Sequence, residues 1–261
     1  MKYGFIGCGN MGGAVLRAVQ KVTKDIMISD RSGKGRALAQ ELDIVYGSNA
    51  AIARQCDAIF LCVKPHMMAD CLLPLQEVLA ARKPLLITMA AGLSIRRIEE
   101  MAGAALPVIR IMPNTPTAIG KGVIPYCRNE GVEDGVLASW LEDMRCCGML
   151  DSLEEGLMDA VSALSGSGPA YAFVMLEAMA DGAVACGIPR AKALQYAAMT
   201  LSGAAEMYLQ SGTHPGQLKD AVCSPAGSTI QGILELEKNG FRAAVMECIL
   251  AAYKRNIELG K

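Results

Sequence analysis

The sequence is poor in aromatic and histidine residues. Aromatic side chains make up only 5% of the 261 residues, and the two histidines are His66 and His214. So few rings argue against a surface that stacks the bases of single-stranded nucleic acid. Two histidines argue against a multi-histidine metal site and against a Ser-His-Asp triad, so we expect no metal.

The chain also has no excess of charge of either sign. Lys and Arg number 25 against 26 Asp and Glu, for a net charge of −1, so no basic field attracts nucleic acid or an anionic membrane. The apolar run 170–188 is about long enough to cross a bilayer, but Glu177 and Asp181 interrupt it. We therefore expect neither a nucleic-acid nor a membrane partner.

Cysteines are frequent but do not form pairs in the sequence. The ten cysteines are scattered without a CxxC spacing, and several lie in apolar runs, where a free thiol behaves as a small hydrophobe. The opening residues MKYGFIGCGN lack the long apolar segment of a signal peptide. These features favour reduced thiols in a cytoplasmic protein.

The first half of the chain alternates short apolar strands with helical segments. The strands are predicted at residues 2–6, 25–29, 44–46, 58–63, 84–89 and 107–112. Continuous apolar strands separated by helices indicate a parallel sheet covered on both faces. The predicted fold class is α/β, with a Rossmann-type doubly wound parallel sheet at the N-terminus.

After about Asp151 the pattern is helical throughout. Helices are predicted at residues 154–164, 169–186, 190–211, 214–222, 228–238 and 241–259, with Gly187, Gly212 and Gly240 as C-terminal caps. We therefore predict two domains, a dinucleotide-binding domain over residues 1–152 and an all-α domain over residues 153–261.

A GxGxxG motif formed by Gly7, Gly9 and Gly12 follows the first predicted strand and opens a helix. Gly7 permits a tight turn, Gly9 lets a pyrophosphate approach the backbone, and Gly12 allows the helix to pack closely. Asp30, at the end of the second strand, is where an acidic residue binds the adenosine ribose. The motif in this context predicts a dinucleotide at the helix N-terminus.

The sequence leaves the nucleotide preference open. Asp30 favours NAD by accepting hydrogen bonds from the ribose hydroxyls, whereas Arg31 and Ser32 favour NADP by holding a 2′-phosphate. The segments 62–65 and 90–92 end two further strands and are predicted to line the same crevice.

Two glycine- and serine-rich turns in the second half each lead into a helix. They span residues 164–171 and 224–229. Backbone N–H groups and hydroxyls at a helix N-terminus can receive a carboxylate. Ordinary helix caps explain the same residues equally well, and the spacing alone leaves both interpretations open.

With these motifs in order, the sequence resembles the pyrroline-5-carboxylate reductase family over nearly its whole length. The matching blocks are GFIGCGNMGGA at the start, FLCVKPH at 60–66, AAGLSI at 90–95, RIMPNTP at 110–116, ALSGSGPAYAF at 163–173 and HPGQLKDAVCSPAGSTIQGILELE at 214–237. The resemblance implies NAD(P)H-dependent reduction of L-1-pyrroline-5-carboxylate to L-proline, the last step of proline biosynthesis. It also implies a homodimer whose C-terminal helices intertwine, with rings of dimers known in the family.

The resemblance also implies the residues of the active site. Those expected to contact NADPH or NADH are Ile6, Gly7, Cys8, Gly9, Asn10, Met11, Gly12, Asp30, Arg31, Asn49, Cys62, Val63, Lys64, Pro65, Ala90, Ala91 and Gly92. Those expected to bind the substrate are Glu155, Ser224, Gly227, Ser228 and Thr229, with Thr229 as the candidate proton relay. The chain departs from common family patterns at Ala226, where many members have glycine, at Ala221, where some have asparagine, and at Asp30.

Three other functions fit parts of the sequence. The β-hydroxyacid dehydrogenases share the glycine-rich start but need a lysine on the long helix, and this chain has none between Lys121 and Lys192. A reductase of a related cyclic imine fits as well, because one methylene changes selectivity only modestly. A non-catalytic nucleotide-binding regulator is the third, and the complete loop 224–229 argues against it.

Overall fold

The computed structural model describes residues 1–259, which divide into two compact units. The first unit comprises residues 1–167 together with the end of the chain from residue 252, and the second comprises residues 168–251. The boundary predicted after residue 152 falls at the end of the last strand, whereas the compact unit that holds the sheet continues to Ser167. The division into functional domains at 152 therefore stays a prediction.

The first unit is built on one sheet. Its strands are β1 (Tyr3–Ile6), β2 (Ile26–Ser29), β3 (Val45–Tyr46), β4 (Ala58–Leu61), β5 (Leu85–Thr88), β6 (Val108–Ile111), β7 (Gly122–Arg128) and β8 (Gly148–Ser152). They lie in the order β3-β2-β1-β4-β5-β6-β7-β8, and the first six pair in parallel. The order of strands 3-2-1-4-5-6 is that of a doubly wound dinucleotide-binding sheet. The predicted fold class is confirmed.

Both faces of this sheet are covered, and this explains the uninterrupted apolar strands. Every residue of β1, β4, β5 and β6 is buried. Phe5 and Phe60 stack on one face with ring centroids 4.4 Å apart. Ile6 and Ile59 belong to a second apolar cluster. The sheet therefore contributes side chains to two hydrophobic cores.

The sequence did not predict the last two strands. β7 runs antiparallel to β6, and β8 runs parallel to β7. Only a short segment with a 3₁₀ turn at Thr115–Ile119 joins β6 to β7. A parallel pair would need a crossover of a dozen or more residues, so the short connection reverses the chain. The link from β7 to β8 carries a helix and allows parallel pairing.

Eight helices accompany the sheet in the first unit. They are α1 (Asn10–Val19), α2 (Lys34–Leu42), α3 (Asn49–Gln55), α4 (Met68–Leu72), α5 (Gln76–Arg82), α6 (Ile95–Ala102), α7 (Asp134–Met144) and α8 (Met158–Val161). The segment predicted as helical over residues 154–164 is helical from Glu155, but it is not one regular α-helix. A 3₁₀ turn at Glu155–Leu157 precedes α8, and a π-helical turn at Ser162–Gly166 follows it, with Ser167 N–H bonded to the Ser162 carbonyl at 3.0 Å.

The second unit is helical, as predicted. It contains α9 (Gly168–Ala185), α10 (Arg190–Ser211), α11 (Pro215–Val222), α12 (Ser228–Lys238) and most of α13 (Phe241–Leu259). Gly187, Gly212 and Gly240 all have positive φ and end helical segments, as the sequence predicted. None of the helices within residues 1–259 is long and apolar enough to cross a membrane.

The last helix also contributes to the first unit. Residues 252–259 group with the sheet, and Asn256 Nδ2 donates a hydrogen bond to the Asp159 carbonyl at 3.0 Å. The end of the chain therefore packs on the segment that follows β8.

Candidate active site

The glycine turn after β1 has the geometry that its sequence predicts. Gly7 has φ +91°, and a Cβ at Gly12 would lie 2.7 Å from the Gly7 carbonyl oxygen and from Cys62 Cβ. A Cβ at Gly9 would meet nothing within 4 Å. No side chain caps the start of α1 at Gly9. The first-turn N–H groups of α1 therefore have no side-chain cap and are available to bind an anion.

A cleft of about 220 Å³ lies at the carboxyl ends of β1, β2 and β4. The predicted residues that line it are Ile6, Gly7, Gly9, Asp30, Arg31, Asn49, Cys62, Val63 and Lys64. Ser32, which the sequence suggested as a partner for a 2′-phosphate, lines it as well. Ser29, Met67 and Cys71 also line it and were not predicted as cofactor contacts. Met67 and Cys71 reach the cleft from the turn and helix that follow Pro65, and no motif in the sequence marks them.

The remaining predicted cofactor residues lie beside the cleft rather than in its lining. They are Cys8, Asn10, Met11 and Gly12 in the turn and first residues of α1, Pro65 after Lys64, and Ala90, Ala91 and Gly92 after β5. Their contact with a cofactor stays a prediction.

Asp30 is held in place by hydrogen bonds from the backbone. Its Oδ2 accepts from the Cys8 N–H at 2.8 Å, and its Oδ1 accepts from the Ser32 N–H at 2.8 Å. Partial burial raises the pKa of Asp30, but hydrogen bonds from Ser32, Cys8 and Gly35 outweigh it and leave the pKa below its usual value. The cleft therefore carries a fixed carboxylate beside the cation of Arg31.

The thiols around the cleft serve as neutral lining. Burial raises the pKa of Cys62 well above its ordinary value, and burial raises that of Cys71 to about 11. Asn49 lies beside them, with Nδ2 3.7 Å from Cys71 Sγ. Because these thiols stay protonated at neutral pH, they act as small apolar groups rather than as nucleophiles.

Hydrogen bonds to side chains stabilise the backbone before and after the turn at residues 90–92. The Ala90 N–H donates to Thr88 Oγ1 at 3.3 Å, and Gly92 has φ +75°. After the turn, Ser94 caps α6 by accepting from the Arg97 N–H at 3.2 Å. Ala90 is buried, whereas Ala91 and Gly92 are partly exposed and carry little or no side chain to obstruct a ligand.

Glu155 faces two donors of its own unit. Its Oε1 accepts from the Ile95 N–H at 2.7 Å and from Arg110 Nη1 at 3.2 Å. Arg110 is buried and was not singled out from the sequence, because its partners lie far away along the chain. The contact of Glu155 with substrate stays a prediction.

The loop 224–229 lies in the second unit and opens α12. The Gly227 N–H donates to the Ser224 carbonyl at 3.0 Å, and Ala226 has φ +58°. No side chain caps α12, so the first N–H groups of the helix lie together with the hydroxyls of Ser228 and Thr229. This arrangement suits a carboxylate.

Comparison with known proteins places this architecture in a family. Pyrroline-5-carboxylate reductase of Methanosarcina acetivorans is 41% identical over 100% of this chain and 98% of its own length. The enzyme of that name from Escherichia coli is 38% identical over 100% of this chain and 98% of its own. The chain belongs to the pyrroline-5-carboxylate reductase family. The resemblance found in the sequence is confirmed, and membership of this family sets aside the β-hydroxyacid dehydrogenases.

Domain matches and solved structures agree with this family. The model described as pyrroline-5-carboxylate reductase dimerisation matches residues 155–259, and one described as NADP oxidoreductase, coenzyme F420-dependent, matches residues 2–92. The structure of Plasmodium falciparum pyrroline carboxylate reductase with NADP bound has a TM-score of 0.91 at 32% identity, covering 100% of this chain and 98% of that one. The family's dimerisation region therefore includes all of the second unit.

Proposed function

We propose that this protein reduces L-1-pyrroline-5-carboxylate to L-proline with NADPH or NADH, the last step of proline biosynthesis. The observation that carries the proposal is the full-length similarity to pyrroline-5-carboxylate reductases together with the glycine turn that opens on the cleft. The similarity alone gives the family, and the cleft gives a place where the chemistry can occur.

The residues of the cleft fit a dinucleotide. Open space at Gly9 and the uncapped N-terminus of α1 leave room and donors for a pyrophosphate. Asp30 accepts hydrogen bonds from the ribose hydroxyls, while Arg31 and Ser32 bind a 2′-phosphate; that all three line the cleft supports these roles. When bound, the reduced nicotinamide supplies the hydride. Since NADP is bound in the Plasmodium falciparum structure and Asp30 favours NAD, both nucleotides belong in the assay.

The loop in the second unit supplies the substrate contacts. Ser224, Gly227, Ser228 and Thr229 receive the substrate carboxylate through amides and hydroxyls. The Thr229 hydroxyl, or a water that it orders, passes a proton to the ring nitrogen while the adjacent carbon is reduced. A protonated imine is already electrophilic, so the remaining task of the protein is to position the ring and exclude water.

We propose that the active form is a homodimer with intertwined C-terminal helices, in single dimers or rings. The dimerisation match and the apolar side chains exposed on the second unit support this assembly.

We also propose that the protein is cytoplasmic. All ten cysteines lie within residues 1–259 and are unpaired there, as expected of a reducing compartment.

The test is turnover of the purified protein. Pyrroline-5-carboxylate with NADPH or NADH should consume the reduced nucleotide, followed by its absorbance, and six-membered and sulfur-containing ring analogues should react more slowly. Thr229→Ala should lower kcat by about a hundredfold or more, the range expected for losing a proton-transfer group, and Thr229→Ser should retain most of the activity. Unchanged turnover in Thr229→Ala would remove the proton-relay role, and no reaction with the five-membered ring would reject the proposed substrate.

A further inference from the structure

A buried arginine links strand β6 to the segment 155–159, which in turn contacts the start of α6. Arg110 lies in the middle of β6, and its side chain is 5% exposed. Its Nη1 donates to Glu155 Oε1 at 3.2 Å, and its Nη2 lies 3.5 Å from Asp159 Oδ1. A buried guanidinium is costly unless carboxylates pair with it, and here two carboxylates from one short segment do so.

Only one of these carboxylates reaches a neighbouring helix. Glu155 Oε1 also accepts from the Ile95 N–H at 2.7 Å, and Ile95 is the first residue of α6. A carboxylate is favourable at this end of a helix, because the amides there lack partners and carry the positive end of the dipole. Arg110 therefore holds Glu155 against the N-terminus of α6.

The helix that Glu155 holds follows the turn 90–92 directly. Thr88 and Arg110 are paired in the register of β5 and β6, so their side chains lie on the same face of the sheet. Thr88 Oγ1 accepts from the Ala90 N–H at the start of the turn, and Glu155 accepts from the Ile95 N–H just after it. The two contacts fix the backbone on both sides of the turn.

We propose that Arg110 and Glu155 are positioning residues for the nucleotide, with Arg110 orienting Glu155 so that it fixes the turn 90–92. This inference rests on the proposed function, in which that turn lies against the bound nucleotide. It gives Glu155 a task that needs no contact with substrate. It also predicts that nucleotide affinity depends on a side chain outside the lining of the cleft.

Asp159 offers a matched control within the same network. It lies beside the same guanidinium, and it has no hydrogen bond to α6. Asp159→Asn removes one negative charge beside the Arg110 guanidinium, as Glu155→Gln and Glu155→Ala do. Unlike those two variants, it leaves the hydrogen bond between Glu155 and the Ile95 N–H intact. If the variants act only through a general loss of stability, the Glu155 and Asp159 variants should both bind nucleotide more weakly. If they act by displacing the turn 90–92, only the Glu155 variants should do so.

The experiment measures nucleotide affinity directly, by calorimetry with NADPH and NADH in the absence of substrate and well below the unfolding temperature. Losing one charge-assisted hydrogen bond predicts about tenfold weaker binding for Glu155→Ala and about threefold for Glu155→Gln, with Asp159→Asn within about twofold of the wild type. Hydrogen exchange of the peptide 90–98 should accelerate in the two Glu155 variants and not in Asp159→Asn.

Two results would overturn the inference. One is nucleotide affinity in Glu155→Ala within about twofold of the wild type, and the other is an equal loss in Asp159→Asn. Turnover of the wild type is measured separately. A wild type that binds nucleotide without reducing pyrroline-5-carboxylate rejects the proposed function while the affinities of the variants still decide this inference, and a wild type that binds no nucleotide rejects both.

Discussion

The two units of this chain treat their apolar side chains in opposite ways. The first unit buries Phe5, Phe60 and Trp140 completely. In the second unit the only hydrophobic residues buried within the described chain are three alanines, Ala180, Ala193 and Ala197, while Phe173 is 66% and Leu209 70% exposed. Soluble monomers rarely expose so many large apolar side chains.

The difference shows where each unit obtains its stability. Burial of apolar surface contributes roughly 25 cal/mol per Å², so the first unit gains most of its stability from its own core. The second unit has little core of its own, and its apolar side chains can be removed from water only by another surface. Residues 155–259 match a dimerisation domain, and this match favours a second copy of the chain as that surface.

Charges placed on the second unit test this difference most strongly. Phe173→Asp should weaken the dimer by about a thousandfold or more, because an unpaired charge buried at an interface costs several kcal/mol. Val22→Asp is the control, since Val22 is 51% exposed on the first unit. Light scattering across a dilution series measures both. A dimer unchanged by Phe173→Asp would show that this side chain lies outside the interface.

A cavity in the first unit should have the next largest effect. Phe60→Ala removes a fully buried ring that stacks on Phe5 and should cost about 3–5 kcal/mol in the free energy of unfolding. Phe173→Ala, in contrast, should lower stability by an amount that varies with protein concentration, as expected when stability depends on association. Urea unfolding at several concentrations separates the two. Equal concentration dependence of both losses would contradict the comparison.

Gly12 and Gly9, in the same turn, lack a side chain for different reasons: Gly12 allows close packing, and Gly9 leaves space for a ligand. Gly12→Ala should destabilise the first unit by about 1–3 kcal/mol, because its Cβ would overlap the Gly7 carbonyl and Cys62. Gly9→Ala should leave thermal stability unchanged, because its Cβ meets nothing within 4 Å, and should weaken nucleotide binding. Thermal melts and calorimetry check the pair. A stable Gly12→Ala, or a Gly9→Ala with full affinity, would break the assignment.

The smallest effect is expected at the start of α12. Ala226 has φ +58°, a conformation that costs a non-glycine residue about 1–2 kcal/mol. Ala226→Gly should raise stability by up to about 1 kcal/mol after the entropy of glycine is subtracted. Ala204→Gly, exposed within α10, should lower it by about the same amount. Unfolding shifts of the same sign for both variants would show that the loop backbone is not strained.

Residues that end helices and strands explain why so much of the fold could be predicted. The bounds predicted for α10, α12 and α13 agree with the structure, because glycines with positive φ end the neighbouring segments. The parallel strands could be predicted because both of their faces are buried, which makes each of them a continuous apolar run. β7 carries Pro125, which lacks an N–H for the ladder, and β8 is mostly exposed. Pro125 therefore argues against a strand at β7, and the polar residues of β8 interrupt its apolar pattern.

The candidate site was predictable in its motifs but not in its long-range contacts. The glycine turn and Asp30 are fixed by residues close in sequence or by a known spacing. The link from Arg110 to Glu155 joins residues 45 apart, and the link from Glu155 to Ile95 joins residues 60 apart. Sequence periodicity reports which face a residue occupies, and it carries no information on which distant partner a polar group meets.

The shared last helix has a consequence for biosynthesis. Residues 252–259 belong to the unit that contains β1, and Asn256 donates a hydrogen bond to the Asp159 carbonyl. A ribosome makes β1 long before it makes Asn256, so the sheet waits for a distant segment of the chain before the packing around Asp159 is complete. A polypeptide that ended between β8 and Asn256 would contain strands β1 to β8 but would lack this contact.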